Sequence, residues 1–309
     1  MIVCVAPSPS IDRLFEVDRL RPGEIHRPTQ FVRVPGGKAL NTARAAAALA
    51  ADVRAVCLLG GHSGRWIAEE LARIDLPPIV TWCEGETRSC LSVADASSGS
   101  LTEFYEANAS VSAAEWEEFA QTVHDAAASS AWTIISGSLP PGAPADGYDQ
   151  LTAGAAKVAA DTTALGSARP ALLKVNAAEA AALTGLAIDS IDEASKAAQT
   201  LRSRIGGEGH AAAVTCGRSG AVLVAPDGAS WQGSLDADGR YPVGSGDAFL
   251  AGLVTALDTG NGWPEALAAA LGAAAANAEV PGPALLDAEQ AHALAEQTTV
   301  EPLINARAQ

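Results

Sequence analysis

Short apolar runs alternate with amphipathic segments along most of this chain, and this alternation limits its possible folds more than any other feature. The apolar runs predict strands at 2–6, 53–58, 132–136, 172–175, 211–215 and 220–224. The amphipathic segments predict helices at 39–50, 64–74, 113–127, 177–184, 191–205, 246–258, 263–279 and 286–296. Strands that alternate with helices form a mainly parallel sheet covered by helices on both faces. We therefore expect an α/β fold whose ligands bind beyond the carboxyl ends of the strands.

Two stretches, 12–34 and 87–106, interrupt this alternation. Polar and apolar residues alternate within them, which is the pattern of half-buried strands. We expect the two stretches to pair as a small antiparallel sheet that projects from the main body. No linker or internal repeat divides the chain, so we predict a single domain over 1–309 with a discontinuous β lid.

Composition and charge exclude several classes of partner. The 309 residues are 48% hydrophobic and carry a formal net charge of −16, which argues against binding to nucleic acid or to an anionic membrane. The five cysteines are scattered without a CxxC pair, as expected for reduced thiols in the cytosol. The first apolar run, 2–6, is too short for a signal peptide, and no longer run has the length of a membrane span. We expect a cytoplasmic protein.

A glycine-rich turn, Gly244-Ser245-Gly246-Asp247, runs directly into a helix rich in Ala and Leu. The glycines allow consecutive N–H groups to face a ligand, and the start of the helix adds positive potential, so the turn could hold an anion. Asp247 could take a proton from an attacking hydroxyl, and phosphoryl transfer requires mainly such positioning and charge stabilisation. The same pattern is compatible with a plain glycine turn whose aspartate caps the helix.

A second glycine pair, Gly36-Gly37, precedes another Ala-rich helix. Glycines at this point let a substrate approach the backbone closely. Lys38, Asn41 and Arg44 follow at three-residue spacing, near one face of the helix. These residues could bind a polar substrate, or they could be solvated charges at the start of a helix.

Motifs of other enzyme classes are absent from the sequence. The pair Gly37-Lys38 is followed by Ala39 and lacks the upstream glycine of a phosphate-binding P-loop. Phe249 stands where the dinucleotide fingerprint requires a small residue, which disfavours a Rossmann oxidoreductase. The histidines show no metal-binding spacing.

Taken together, these motifs resemble the signatures of the PfkB (ribokinase-like) family of carbohydrate kinases. The turn at 244–247 matches the family's GAGD signature, with Ser245 for the usual Ala, and 36–41 is similar to its GGKGxN signature, with Ala39 for the third Gly. Further similar segments follow in the family's order, at 8–12, 60–65, 136–142, 174–179 and 215–220, with Asn277 in the last helix on the adenine side. The resemblance covers essentially the whole chain. It implies a three-layer α/β/α sandwich with a mainly parallel sheet and a small β lid.

The resemblance also implies an activity and the residues that perform it. It implies an ATP-dependent kinase that transfers the γ-phosphoryl group to a sugar hydroxyl, with Asp247 as the base and Gly244, Ser245 and Gly246 as the anion hole. The implied substrate-binding residues are Asp12, Gly36, Gly37, Lys38, Asn41, Arg27, Arg88, Ser136 and Ser138. The implied nucleotide-binding residues are Lys174, Asn176, Thr215, Gly217, Gly220 and Asn277. Mg²⁺ is implied as well, bound through phosphates and water, with Glu179 and Asn176 acting indirectly.

Within the family, the likeness is greatest to the 1-phosphofructokinase and tagatose-6-phosphate kinase branch, through 22–27, 87–88 and 102–104. That branch implies a hexose phosphate as acceptor, of the fructose 1-phosphate or tagatose 6-phosphate type. Its phosphate would face Arg27, Lys38 and Arg88.

Departures from the branch leave the exact sugar open. Tyr105 replaces the usual Asn, and His26 also replaces an Asn, both near the expected acceptor pocket. One alternative is a kinase of an unphosphorylated sugar or nucleoside. An alternative of another class is a non-catalytic sugar-binding or regulatory relative, which would not need the intact Asp247. The family likeness further suggests a homodimer formed through the lid.

Overall fold

The computed structural model describes residues 1–237 and 239–303. Its strands are β1 Ile2–Ala6, β2 Ser10–Val17, β3 Gln30–Gly36, β4 Val53–Gly60, β5 Ile79–Cys83, β6 Ser89–Asp95, β7 Ser100–Tyr105, β8 Trp132–Ser136, β9 Val158–Asp161, β10 Leu172–Asn176, β11 Ala211–Thr215, β12 Ala221–Val224, β13 Ser230–Ser234 and β14 Thr299–Pro302. Its helices are α1 Lys38–Ala48, α2 Gly61–Arg73, α3 Ala113–Ala127, α4 Gly147–Thr152, α5 Ala177–Thr184, α6 Ile191–Ile205, α7 Ser245–Asp258, α8 Trp263–Glu279 and α9 Ala288–Glu296. Each strand and helix predicted from the alternation is present, with ends displaced by at most a few residues.

The main sheet has the order β5-β4-β1-β8-β9-β10-β11-β12-β13-β14. In this spatial order, the strands from β5 through β4, β1, β8, β9 and β10 to β11 run parallel. Strands β12, β13 and β14 continue the sheet with antiparallel pairing. Successive residues of a strand point to opposite faces. Ile2 accordingly packs in the core beneath α1, α7 and α8, whereas Val3 packs in the core beneath α3 and α6. This confirms the predicted three-layer α/β/α arrangement.

Local sequence explains how the helices begin and pack. Ser112 and Glu115 form a capping box at the start of α3. Gly252 permits close contact between α7 and α8, since a Cβ atom on it would lie only 2.8 Å from the carbonyl oxygen of Ala269. No helix in the described part of the chain is long and apolar enough to cross a membrane.

A second sheet has the order β3-β2-β6-β7 and is built from the two stretches that interrupt the alternation. The prediction of an antiparallel sheet is wrong for its central pair, because β2 and β6 run parallel. Each of these strands follows a parallel strand of the main sheet, β1 and β5 respectively, and therefore leaves the same edge in the same direction. The outer pairs, β2 with β3 and β6 with β7, are antiparallel as expected. We call this the small sheet.

Candidate active site

A cavity of about 860 Å³ lies between the carboxyl ends of the main-sheet strands and the small sheet. Its walls come from regions that are far apart in the sequence. The predicted site residues that line it are Asp12, Gly37, Lys38, Asn41, Arg88, Ser136, Ser138, Lys174, Asn176, Glu179, Thr215, Gly217, Gly220, Gly244, Ser245, Gly246 and Asp247. The position matches the general rule that α/β sheets bind ligands beyond their carboxyl strand ends.

Asp247 lies in the first turn of α7 and is 7% exposed. The side-chain amide of Asn41 donates a hydrogen bond to its Oδ2 atom at 3.0 Å. Burial, reinforced by the nearby negative charge of Asp161, raises the pKa of Asp247 to about 7, although Lys174 and the Asn41 hydrogen bond act in the opposite direction. A carboxylate with a pKa near neutrality is well suited to act as a general base.

The glycine-rich turn before Asp247 has an open amide. Gly244 adopts a left-handed conformation, with φ of +83°, and its carbonyl accepts the N–H groups of Asp247 and Ala248. The N–H of Gly246 has no hydrogen-bond partner within residues 1–237 and 239–303. A Cβ atom on Gly246 would lie 2.8 Å from Nζ of Lys174, so a side chain there would collide with this ammonium group. A free N–H at a helix start beside a lysine can stabilise an anion.

Asp12 lies on β2 at the other side of the cavity. Its carboxylate accepts hydrogen bonds from the Ser10 hydroxyl at 2.6 Å, from the Gly37 N–H at 3.3 Å and from the Asn41 amide at 3.5 Å. Gly36 does not line the cavity, but a Cβ atom on it would lie 2.0 Å from the carboxyl carbon of Asp12. Gly36 is therefore needed to make room for Asp12. The side-chain amide of Asn41 lies between the two carboxylates of the site.

Asp161, at the end of β9, joins the two sides of the cavity and was not among the predicted site residues. It is 1% exposed, and its oxygens accept from Nζ of Lys38 at 2.9 Å and from Nζ of Lys174 at 2.8 Å. Burial alone would raise the pKa of Asp161, but the two lysines outweigh it and hold the pKa below its ordinary value. Its signal in the sequence is an aspartate at the end of the short apolar run 158–160, which did not enter the prediction.

The structure brings only two of the three predicted phosphate-binding cations to the cavity. Arg88 is half-buried, forms no ion pair among the described residues, and has a buried Nε without a hydrogen-bond partner. Lys38 already contacts Asp161 and Glu179, and these partners raise its pKa above the ordinary value although burial lowers it. Arg27 is exposed in the irregular segment between β2 and β3 and does not line the cavity of the single chain. Arg240, which was not predicted, does line it.

On the proposed nucleotide side, Gly220 and Asn277 have structural tasks. A Cβ atom on Gly220 would lie 2.0 Å from the carbonyl oxygen of Gly233, so no other residue fits this turn. Asn277 is fully buried and does not line the cavity. Its amide donates to the Val243 carbonyl and to the Ser245 hydroxyl, each at 3.0 Å. Asn277 thus holds the glycine-rich turn in place through these two hydrogen bonds, whereas we expected it to contact the nucleotide directly.

Asn176 and Glu179 form a capping box at the start of α5. One carboxylate oxygen of Glu179 accepts the N–H of Asn176, and the other accepts from Lys38, each at 2.9 Å. Within residues 1–237 and 239–303, no group of three or more His, Cys, Asp or Glu could hold a metal ion. These contacts fit a Mg²⁺ ion bound mainly by phosphates and water, which is the usual way that proteins hold this ion with a nucleotide.

Comparisons with known proteins agree with this architecture. The family model described as pfkB family carbohydrate kinase matches residues 1–290. A 1-phosphofructokinase of Haloferax volcanii is 32% identical, over 84% of this chain and 85% of its own length, and one of Rhodobacter capsulatus is 30% identical over 98% of both chains. Phosphofructokinase-2 of Escherichia coli, solved in complex with substrates and products, has the same fold, with a TM-score of 0.87 over 96% of this chain and 98% of its own at 24% identity. The chain therefore belongs to the pfkB family of carbohydrate kinases, which are phosphotransferases with an alcohol group as acceptor.

Proposed function

We propose that this kinase transfers the γ-phosphoryl group of ATP to a hydroxyl of a hexose phosphate, of the fructose 1-phosphate or tagatose 6-phosphate type. One observation carries the proposal. The buried carboxylate of Asp247, whose pKa is about 7, lies at the cavity wall between the polar groups around Asp12 and the open N–H of Gly246. A base placed between an acceptor site and an anion site is what phosphoryl transfer to an alcohol requires.

In the proposed reaction, Asp12 accepts hydrogen bonds from sugar hydroxyls and so orients the acceptor. Asp247 takes the proton of the attacking hydroxyl while the hydroxyl oxygen forms a bond to the γ-phosphorus. The bond from that phosphorus to the β-phosphate oxygen breaks, and ADP is released. The N–H of Gly246 and the Lys174 side chain stabilise the negative charge of the transferring group. Mg²⁺, when bound through the phosphates, supplies further neutralisation of charge, with Glu179 and Asn176 acting through its water shell.

The proposal that the acceptor carries a phosphate is based on Arg88 and on the names of the curated relatives. A half-buried arginine without an ion pair in the described chain is suited to a phosphate, because its planar fork donates two parallel hydrogen bonds. A second candidate, an unphosphorylated sugar, is favoured by the engagement of Lys38 with two carboxylates and by the position of Arg27 outside the cavity.

A substrate panel with ATP and Mg²⁺ separates these candidates. The panel contains fructose 1-phosphate, fructose 6-phosphate, tagatose 6-phosphate, fructose and ribose. We expect a phosphohexose to be preferred, and Arg88→Ala to raise its KM about 10–100-fold, the equivalent of one charge-assisted hydrogen bond. Arg54→Ala removes an exposed arginine far from the cavity and should leave KM unchanged. A preference for fructose or ribose would select the second candidate.

The role of Asp247 is tested by Asp247→Asn, which keeps the shape but cannot accept the proton. We expect turnover to fall about 10²–10⁴-fold, the usual effect of losing a general base. ATP affinity, measured by calorimetry, should survive. Near-normal kcat would limit Asp247 to capping α7 and would favour a non-catalytic role for the turn.

The outer face of the small sheet supports a proposed homodimer. Phe31 and Phe104 are 57% and 59% exposed, and strand register places both on the face opposite Asp12. Exposed apolar sheet faces commonly form interfaces. Sedimentation should show a dimer for the wild type and a monomer for Phe31→Ser combined with Phe104→Ser; a monomeric wild type would contradict this proposal.

We also propose a cytoplasmic location. All five cysteines are free thiols in the structure, which suits a reducing compartment. Fractionation of cells that express the protein would test this, and recovery in a secreted or membrane fraction would contradict it.

A further inference from the structure

Arg44 is the third member of the polar row on α1, after Lys38 and Asn41, and the proposed reaction gives it no task. Its side chain is buried, with 6% of the residue exposed, and makes no ion pair within residues 1–237 and 239–303. Its Nη2 atom donates to Oδ1 of Asn41 at 2.8 Å and to the Pro283 carbonyl at 2.7 Å, and Nη1 lies 3.4 Å from the Ala284 carbonyl. The guanidinium therefore links one side chain of the site to one loop.

The first of these contacts fixes the orientation of the Asn41 amide. A guanidinium carries only donors, so the oxygen of the amide must face Arg44. The NH₂ end then faces the carboxylates of Asp247, at 3.0 Å, and Asp12, at 3.5 Å. The reverse orientation would place two donors against each other and would direct the amide oxygen at a carboxylate.

The second contact holds a loop against the glycine-rich turn. A Cβ atom on Gly244 would lie 2.5 Å from the Ala284 nitrogen and 2.8 Å from the Pro283 Cα atom, so loop and turn are in direct contact. The carbonyl groups of the same two loop residues face Arg44. One buried side chain thus connects Asn41 with the segment that packs on the turn.

We propose that Arg44 is a positioning residue for phosphoryl transfer, which directs the donor end of Asn41 at Asp247 and holds residues 283–284 against Gly244 without touching the substrate. The proposal rests on the proposed function in one respect, the role of Asp247 as the base. The structural part, that Arg44 sets the environment of the Asp247 carboxyl, can be measured without turnover.

The charges around Asp247 determine the expected effect. Asp161 raises the pKa of Asp247 beyond the effect of burial, whereas Lys174, the Asn41 hydrogen bond and Lys38 lower it. Arg44 adds a positive charge behind Asn41. Burial lowers the pKa of Arg44 to about 10, opposed by Asp12 and Asp247, so the guanidinium stays charged at neutral pH. Loss of Arg44 frees the Asn41 amide to turn, so the pKa of Asp247 should rise further.

Arg44→Lys keeps the charge but cannot hold both the Asn41 oxygen and the loop carbonyl, and Arg44→Met removes the charge as well. For both we expect kcat to fall about 10–100-fold, as for a misplaced catalytic group, with a smaller change in the KM of the acceptor. A base must be deprotonated, so activity is lost as pH falls below its pKa. The acid limb of the kcat profile should therefore move to higher pH, by about one unit for the loss of one hydrogen bond.

Arg202→Met is the matched control. Arg202 also donates to backbone carbonyls, those of His210 and Pro226, but it lies on α6, in the helix layer on the other face of the main sheet. Its loss should lower the melting temperature without moving the pH limb. In Asn41→Ala combined with Arg44→Lys, the limb should lie where it does in Asn41→Ala alone, because Arg44 acts through Asn41.

A direct titration completes the test. The carboxyl carbon of Asp247, followed by NMR in protein labelled at aspartate and assigned with Asp247→Asn, should titrate at higher pH in Arg44→Lys than in the wild type. An unchanged titration would overturn the inference, even if Arg44→Met did not fold. A wild type without kinase activity would refute the proposed function, and the titration would still decide the role of Arg44.

Discussion

Asp161→Asn should destabilise the protein through one identifiable ion pair. The Asp161 carboxylate is 1% exposed and binds Lys174, whose side chain is 4% exposed, at 2.8 Å. Removal of one partner from a buried pair leaves an uncompensated charge and costs about 3–5 kcal/mol. Lys38, the other partner of Asp161, has a side chain that is 36% exposed and remains paired with Glu179 in the variant. Solvent screening therefore makes the free-energy cost of losing the Lys38–Asp161 contact small. We therefore expect a decrease of about 3–5 kcal/mol in the free energy of unfolding.

The measurement is urea unfolding at pH 7, followed by circular dichroism. Glu179→Gln is the control, because it leaves Lys38 paired with Asp161 and glutamine can still cap α5; it should cost about 1 kcal/mol or less. The pKa of Asp161 is lowered on folding, so its contribution is present above about pH 4, the pKa of a free aspartate, and disappears as pH falls through the lower folded value. The difference in the free energy of unfolding between wild type and variant should therefore become smaller in acid. A decrease below about 1 kcal/mol in the free energy of unfolding at pH 7 would show that the Lys174–Asp161 pair contributes little to stability.

Three further predictions follow from the same contacts. The kcat of the wild type should fall about tenfold per pH unit below about pH 7, because the pKa of Asp247 is raised to about 7 and the base must be ionised; a flat profile down to pH 5 would contradict this. Gly36→Ala places a Cβ atom 2.0 Å from the Asp12 carboxyl carbon, so calorimetry should show weakened sugar binding with ATP affinity retained. Gly252→Ala forces α7 and α8 apart at Ala269 and should lower stability by about 1–3 kcal/mol in thermal unfolding, whereas a stabilised variant would refute such close packing.

The parts of the fold that the sequence predicts are those with local periodicity. The spacing of apolar residues alone predicts long helices such as α3 and α8 and buried strands such as β1. Strand β14 is at the edge of the main sheet and β13 is next to it. Both are short, so their alternation is too weak to distinguish them from loops. The parallel pairing of β2 with β6 was missed because register between distant strands is set by tertiary structure, which no local pattern encodes.

The site follows the same division. Asp247 follows Gly246 and Asn41 follows the pair Gly36-Gly37 at the start of α1, so glycine-rich turns mark both in the sequence. Asp12 has no such local signal and was identified through the family resemblance, and the structure brings all three to one cavity. The position of Arg27 could not be predicted, since an irregular segment has no periodicity to fix the direction of a side chain. The contacts of Arg44 depend on the loop at 283–284, from a distant part of the chain.

The small sheet has a consequence for protein engineering. Its central ladder joins β2 to β6, and these strands belong to two stretches of chain separated by elements of the main body, α1, β4, α2 and β5. The cavity wall takes Asp12 from the first stretch and Arg88 from the second, the two residues proposed to bind the acceptor. A chimera that imports this sheet from a relative must therefore exchange both stretches together, because a single exchange would pair one native strand with one foreign strand along the whole ladder.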